Sequence, residues 1–190
     1  MDVTDLIRKN RSYRRFDESA EISRDTLRDL VDLARQTPSA ANKQPLKYIL
    51  CSTPERNEAV FATLGWAAYL PEWPGPDPGE RPSAYIVVLG DTRIAAGWSV
   101  DPGIAMQSML LAAVDRGLGG CMFGSIKRRQ LADALDIPEH LHILYVLALG
   151  RPIEVVRIED VEPGGDIRYY RDDEAVHHVP KRGLDEIIVG

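Results

Sequence analysis

Four short segments hold residue types suited to binding an anionic or a flat heteroaromatic molecule. The first is Arg11-Ser12-Tyr13-Arg14-Arg15-Phe16. A phosphate monoester carries nearly two negative charges, and taking it out of water requires guanidinium forks with hydroxyl or backbone donors. Three arginines and one serine within five residues supply that set, in a chain whose net charge is −6. The plain alternative is a solvated basic turn after a helix. The second segment is Pro38-Ser39-Ala40-Ala41-Asn42-Lys43-Gln44-Pro45. Its small residues let a flat ring approach the backbone, and Asn42 and Gln44 match the mixed donor and acceptor edge of a heteroaromatic ring. It also reads as an ordinary proline-bounded turn. The third is Gly119-Gly120-Cys121-Met122-Phe123-Gly124-Ser125, whose glycines either bring backbone N–H groups against a ligand or form a helix cap and a turn. The fourth, Pro180-Lys181-Arg182, either completes a phosphate site begun by Arg11 and Arg14 or is a pair of solvated charges.

Other chemistries lack their motifs. There is no His-Glu-x-x-His, no Gly-x-Ser-x-Gly and no phosphate loop ending in Gly-Lys-Ser/Thr. Gly117, Gly119, Gly120 and Gly124 do not fit Gly-x-Gly-x-x-Gly, and they follow a helix rather than a strand. His140, His142, His177 and His178 have no zinc-like spacing to Cys51 or Cys121, so no metal site is expected. The two cysteines read as reduced, buried thiols. An acidic chain is a poor partner for nucleic acid or an anionic membrane. No apolar run approaches the roughly 20 residues of a membrane span. Met1 to Asp5 lacks the order of a signal peptide, which points to a cytoplasmic protein.

The elements that position these segments are legible in outline. A length of 190 residues suggests a single domain over 1–190. Residues 3–9 read as a short helix. Residues 23–36 read as an amphipathic helix with Ser23 as N-cap and Leu27, Leu30, Val31 and Ala34 at helical spacing. Residues 47–52 and 84–90 read as strands, with a helix over 54–64 between them. The stretch 66–83 holds five prolines, with Trp66, Tyr69 and Trp73, and cannot be a long regular element. Asp101-Pro102 looks like a capping acid followed by a first-turn proline, opening a helix to about Arg116 that is apolar nearly all round, with Gln107 as its polar interior position. A helix over 127–135, a strand over 143–149 and a hairpin around Asp172-Asp173-Glu174 complete the chain. Such a mixture predicts an α+β layer architecture.

In combination the motifs resemble the nitroreductase family. Arg-Ser-x-Arg-Arg-Phe comes first, then Pro-Ser-Ala-x-Asn-x-Gln-Pro, a Gln-bearing apolar helix ending in Gly-Leu-Gly, and Leu149-Gly150-Arg151-Pro152, in the family's order over nearly the whole chain. The Tyr169-Tyr170-Arg171 and His177 to Arg182 tail, within a C-terminal extension over 155–190, is similar to one branch of it.

The resemblance implies a mostly antiparallel central sheet flanked by helices, and an interlocked homodimer with two non-covalent FMN sites at its interface. Arg11, Ser12, Tyr13 and Arg14 would hold the phosphate, ribityl chain and pyrimidine side. Pro38, Ser39, Ala40, Asn42 and Gln44 would meet the rings from the other subunit. The backbone at Phe123 and Gly124 would lie by the reactive N5 edge, and Lys181 and Arg182 would finish the phosphate site. Many members carry an arginine where this chain has Asn10, so that contact is lost or moves to Arg15. The implied activity is ping-pong hydride transfer from NAD(P)H, through the flavin, to nitroaromatics, quinones or similar acceptors. Trp66, Tyr69 and Trp73 either line the acceptor pocket or pin a proline-rich segment near the active site to the core. The same fold with dehalogenase or dehydrogenase chemistry, or a flavin-binding protein without turnover, is the competing reading.

Overall fold

The computed structural model describes all 190 residues. A five-stranded antiparallel sheet is built from β1 (Phe16–Asp17), β2 (Leu46–Cys51), β3 (Ala84–Asp91), β4 (Gly119–Phe123) and β5 (Leu141–Pro152). The long β5 pairs with β3, β4 and β1 and is the organising strand. Helices α1 (Val3–Lys9), α2 (Arg24–Ala34), α3 (Pro54–Phe61), α4 (Asp101–Asp115) and α5 (Arg128–Ala134) surround it.

The alternating faces of β3 explain why its sequence is one unbroken apolar run. Ala84, Ile86 and Val88 pack with Leu27 and Leu30 of α2 and Met106, Met109 and Leu110 of α4. Tyr85, Val87 and Leu89 face the other way, into a second core with Val60 of α3 and Leu131 of α5. Every residue of β3 is therefore buried, as expected for a strand covered by helices on both sides. Both cysteines lie free and buried in the second core, and burial pushes both thiols up, Cys51 to about 11.

A separate three-stranded sheet forms from β6 (Val156–Val161), β7 (Tyr170–Arg171) and β8 (His177–Arg182). The β7/β8 pair is the predicted hairpin, shorter than the sequence suggested. Strand β6, parallel to β8, was not anticipated. Helix α6 (Leu184–Ile187) closes the chain.

Three expectations need correction. Gly119 and Gly120 form neither a turn nor a ligand-facing loop; they belong to β4. A Cβ on Gly119 would lie 2.6 Å from the Tyr13 ring, and one on Gly120 would lie 2.3 Å from the Ala148 carbonyl oxygen, so these glycines serve close packing. Asp101 does not cap its helix; Val100 holds that position and the Asp101 side chain turns elsewhere. Helix α4 is also not covered all round, because Gly103 and Gln107 are exposed and Ile104 and Leu111 only half-buried.

Candidate active site

The basic segment is fixed first by its backbone. After α1 the chain runs beside β4: Ser12 bridges to Gly120, and the Tyr13 N–H donates to the Gly120 carbonyl at 3.0 Å. The side chains then diverge. Arg11 donates to the Ile7 carbonyl at 2.6 Å, and the Tyr13 hydroxyl donates to the Lys9 carbonyl at 3.0 Å. Arg15 is held by both oxygens of Glu80, at 2.6 and 2.5 Å. That fork ties the segment to the proline-rich stretch and commits Nε and Nη2 of Arg15 to Glu80. Asn10 donates to Gln107 of α4 at 3.4 Å.

Arg14 enters a buried polar cluster. Its backbone N–H donates to Glu154 Oε2 at 2.8 Å, and its Nη1 lies 3.3 Å from His177 Nε2 and 3.3 Å from the Ser12 carbonyl. Its guanidinium sits over the Tyr169 ring, 5.0 Å from the centroid. The Glu154 carboxylate also receives Arg171 at 2.7 Å, and its side chain is fully buried. His177 is 1% exposed. Burial drives its pKa down to about 4; the Glu154 charge opposes this, and Arg14 and Arg171 reinforce it. A guanidinium can only donate, so His177 Nε2 accepts and the ring proton sits on Nδ1. That Nδ1 is buried without a partner, as are Asn10 Oδ1 and Arg11 Nε.

Aromatic rings join the proline-rich stretch to this cluster. Trp66 meets Phe123 edge-on with centroids 4.7 Å apart, and Trp73 meets Trp66 at 5.9 Å. Arg171 stacks over Trp73 at 4.3 Å. Tyr69 packs on Tyr169 at 4.9 Å, and its N–H donates to the Tyr169 hydroxyl at 3.3 Å. The rings thus pin the stretch to β4 and to the C-terminal extension. Gly124, just past Phe123, is exposed.

The loop over 38–45 is built on Asp101. Ser39 Oγ donates to Asp101 Oδ2 at 2.5 Å, the Ala40 N–H to Oδ1 at 3.0 Å, and the Gln44 N–H to Ser39 Oγ at 2.9 Å. Gln44 Nε2 reaches Asn42 Oδ1 at 3.1 Å. Ala41, Asn42 and Gln44 have φ of +50, +53 and +50°, an unfavourable left-handed conformation for side-chain-bearing residues. Such conformations persist only where surrounding contacts enforce them, and they cluster at functional sites. Pro38, Ser39, Gln44, Tyr48 and Asp101 line a cavity of about 220 Å³. Pro38, Ala40, Asn42 and Gln44 are exposed.

The structure therefore brings Arg14, Glu154, Tyr169, Arg171 and His177 together, and separately Ser39, Ala40, Gln44 and Asp101. No hydrogen bond joins the two groups. The basic segment reaches α4 through Asn10 and Gln107, and the 38–45 loop through Ser39 and Asp101, six positions or about 9 Å apart along the helix. Lys181 and Arg182 lie exposed beyond His177 on β8; Arg182 is bonded to Glu186, and neither touches Arg11 or Ser12. Glu154, His177 and Asp101 escaped the sequence reading as site residues. Glu154 stands two positions past the Leu149 to Pro152 motif, and His177 lies within the tail motif, but no residue pattern reveals that they are buried together.

An antiparallel sheet between two helical layers, with two polar groups tied to one central helix, defines an α+β sandwich. The nitroreductase family profile matches residues 7–151, and the chain belongs to that family. A Methanothermobacter thermautotrophicus protein provisionally named NADH dehydrogenase/NAD(P)H nitroreductase is 28% identical over 160 residues, covering 81% of this chain and 79% of its own. The FMN reductase (NADPH) of Bacillus subtilis is 24% identical, over 80% of this chain and 66% of its own. A solved chain from Exiguobacterium sibiricum, provisionally classed as a nitroreductase and in complex with FMN, superposes with a TM-score of 0.66 at 16% identity, covering 81% of this chain and 90% of its own.

Proposed function

We propose that the protein is an FMN-dependent oxidoreductase that uses NAD(P)H to reduce nitroaromatics, quinones or similar acceptors. The observation that carries this reading is the group of unpartnered buried polar atoms, Asn10 Oδ1, Arg11 Nε and His177 Nδ1, around a basic segment in a chain of this family. A ribityl phosphate brings the donors, acceptors and negative charge those atoms lack. The names of the relatives from M. thermautotrophicus and B. subtilis support the choice of FMN and NAD(P)H.

When bound, FMN supplies hydride acceptance and donation at N5. The protein's part is to hold and polarise it. Arg11, Ser12, Tyr13 and Arg14 take the phosphate, ribityl and pyrimidine side. Arg14, whose Nε and Nη2 donate to no protein atom, places positive charge where the ring gains electron density on reduction. Lys181 and Arg182, exposed at the end of β8, would neutralise the phosphate, with Arg182 exchanging Glu186 for it. The backbone of Phe123 and Gly124 borders the reactive edge, while Trp66, Tyr69 and Trp73 wall the space where nicotinamide and acceptor bind in turn, giving ping-pong kinetics. Pro38, Ser39, Ala40, Asn42 and Gln44 act on the flavin of a second copy, so the working unit is a homodimer. The incompletely covered α4 and the separation of the two half-sites support that assembly.

The purified protein is expected to be yellow, with the absorption bands of oxidised flavin, and to bleach on anaerobic mixing with NADH or NADPH. Failure to take up FMN, or no reduction by either nicotinamide, rejects the proposal. Replacing Arg14 with Ala is expected to weaken FMN binding by about tenfold or more, the scale of a charge-assisted hydrogen bond, measured by flavin fluorescence titration.

A further inference from the structure

We infer that His177, together with Glu154, is a positioning residue for Arg14, so that the C-terminal extension sets how the flavin's pyrimidine side is held. The inference rests on the FMN reading above and assigns a role to residues outside the basic segment itself.

Besides the local Ser12 carbonyl at 3.3 Å, three long-range contacts restrain Arg14. Glu154 Oε2 accepts its backbone N–H at 2.8 Å, His177 Nε2 lies 3.3 Å from Nη1, and the Tyr169 ring lies beneath the guanidinium at 5.0 Å. Two of these come from the extension and the third from the residue linking β5 to it. Only Nη1 is engaged by the protein, so the restrained guanidinium keeps its other donors free. Glu154 and His177 are themselves fixed. Arg171 binds the other Glu154 oxygen at 2.7 Å and lies on Trp73, while the His177 N–H donates to the Val155 carbonyl at 2.8 Å. The low pKa of His177, about 4, keeps the ring an acceptor throughout the neutral range.

The geometry separates positioning from mere support of the fold. A glutamine oxygen reaches the place of Nε2, whereas an asparagine ends near Nδ1. The test compares His177→Gln, His177→Asn and His177→Phe in the full-length protein with added FMN, reading the dissociation constant and the flavin midpoint potential. Asn and Phe should each weaken FMN binding about tenfold, the scale of a lost charge-assisted hydrogen bond, and shift the potential to more negative values. Gln should restore both to near wild type. Wild-type values in the Phe variant, or a Gln variant as impaired as Phe, would overturn the inference.

A second readout needs no flavin. In the FMN-free wild-type protein, ¹⁵N shifts of His177 should report the Nδ1–H tautomer between pH 5 and 8. An Nε2–H tautomer overturns the inference outright. If the wild type takes up no FMN, the oxidoreductase reading fails and the flavin part of this inference falls with it. The tautomer then still decides whether His177 accepts from Arg14.

Discussion

His177 and His178 are neighbours on β8 and titrate in opposite directions. His177 faces Glu154, Arg14 and Arg171, and burial holds it neutral, with its pKa down at about 4. His178 faces Asp172 at 2.9 Å, pairs with Glu159 as well, and stacks on Tyr170 at 4.7 Å; hydrogen bonds to the two carboxylates raise its pKa above 6.5. For His177 the folded value is depressed, so its contribution is complete above pH 6.5 and is lost as pH falls toward about 4. For His178 the folded value is raised, so its contribution is complete below pH 6.5 and is lost as pH rises through the folded pKa. The stability of the β6–β8 sheet should therefore peak near pH 6.5, where the two windows meet. Hydrogen exchange of the β8 amides against pH checks this. His178→Phe should remove the alkaline limb and leave the acid limb, and loss of both limbs together would contradict the assignment.

At the scale of elements, Asp101 shows how one side chain shapes a loop. Asp101→Ala removes both restraints on Ser39 and Ala40 and leaves a strained backbone without its anchor. A stability loss of about 1–3 kcal/mol is expected in thermal melts, together with faster proteolysis within residues 38–45. Gly120→Ala presses a methyl against the Ala148 carbonyl between β4 and β5, and overpacking of that kind costs about 1–3 kcal/mol, readable in denaturant titrations. The main elements were legible in the sequence because periodicity reports burial directly, as in α2 with its Ser23 cap and in the unbroken apolar β3. The rest was hidden for physical reasons. Asp101 followed by Pro102 satisfies the local rule for a helix start, yet a long-range partner, Ser39, takes the carboxylate. Gly119 and Gly120 look like turn formers, and only the rings and carbonyls packed on them reveal a strand. Strand β6 mixes three apolar with three charged residues and stays half-exposed, and its pairing depends on β8, distant in sequence. The basic segment and the 38–45 loop stood out by composition, whereas the buried partners Glu154 and His177 are visible only in the folded chain.

At the scale of the whole molecule, one chain leaves much apolar surface uncovered. Leu184, Ile187, Ile188 and Val189 are 69, 58, 65 and 92% exposed, and Val3 and Ile7 are 66 and 51% exposed. Light scattering should give twice the chain mass, and the melting temperature should rise with protein concentration, as it does when association stabilises the fold. A monomer at micromolar concentration would contradict the proposed assembly. The placement of Cys51 and Cys121 bears on how such a catalyst would survive its own output. Under the proposed function, quinone acceptors and the nitroso species formed on nitro reduction are soft electrophiles that attack accessible thiolates. Here each thiol is buried with its pKa raised, so the exterior offers such electrophiles no cysteine thiolate, and under that reading resistance to self-inactivation would follow from the packing of the second core itself.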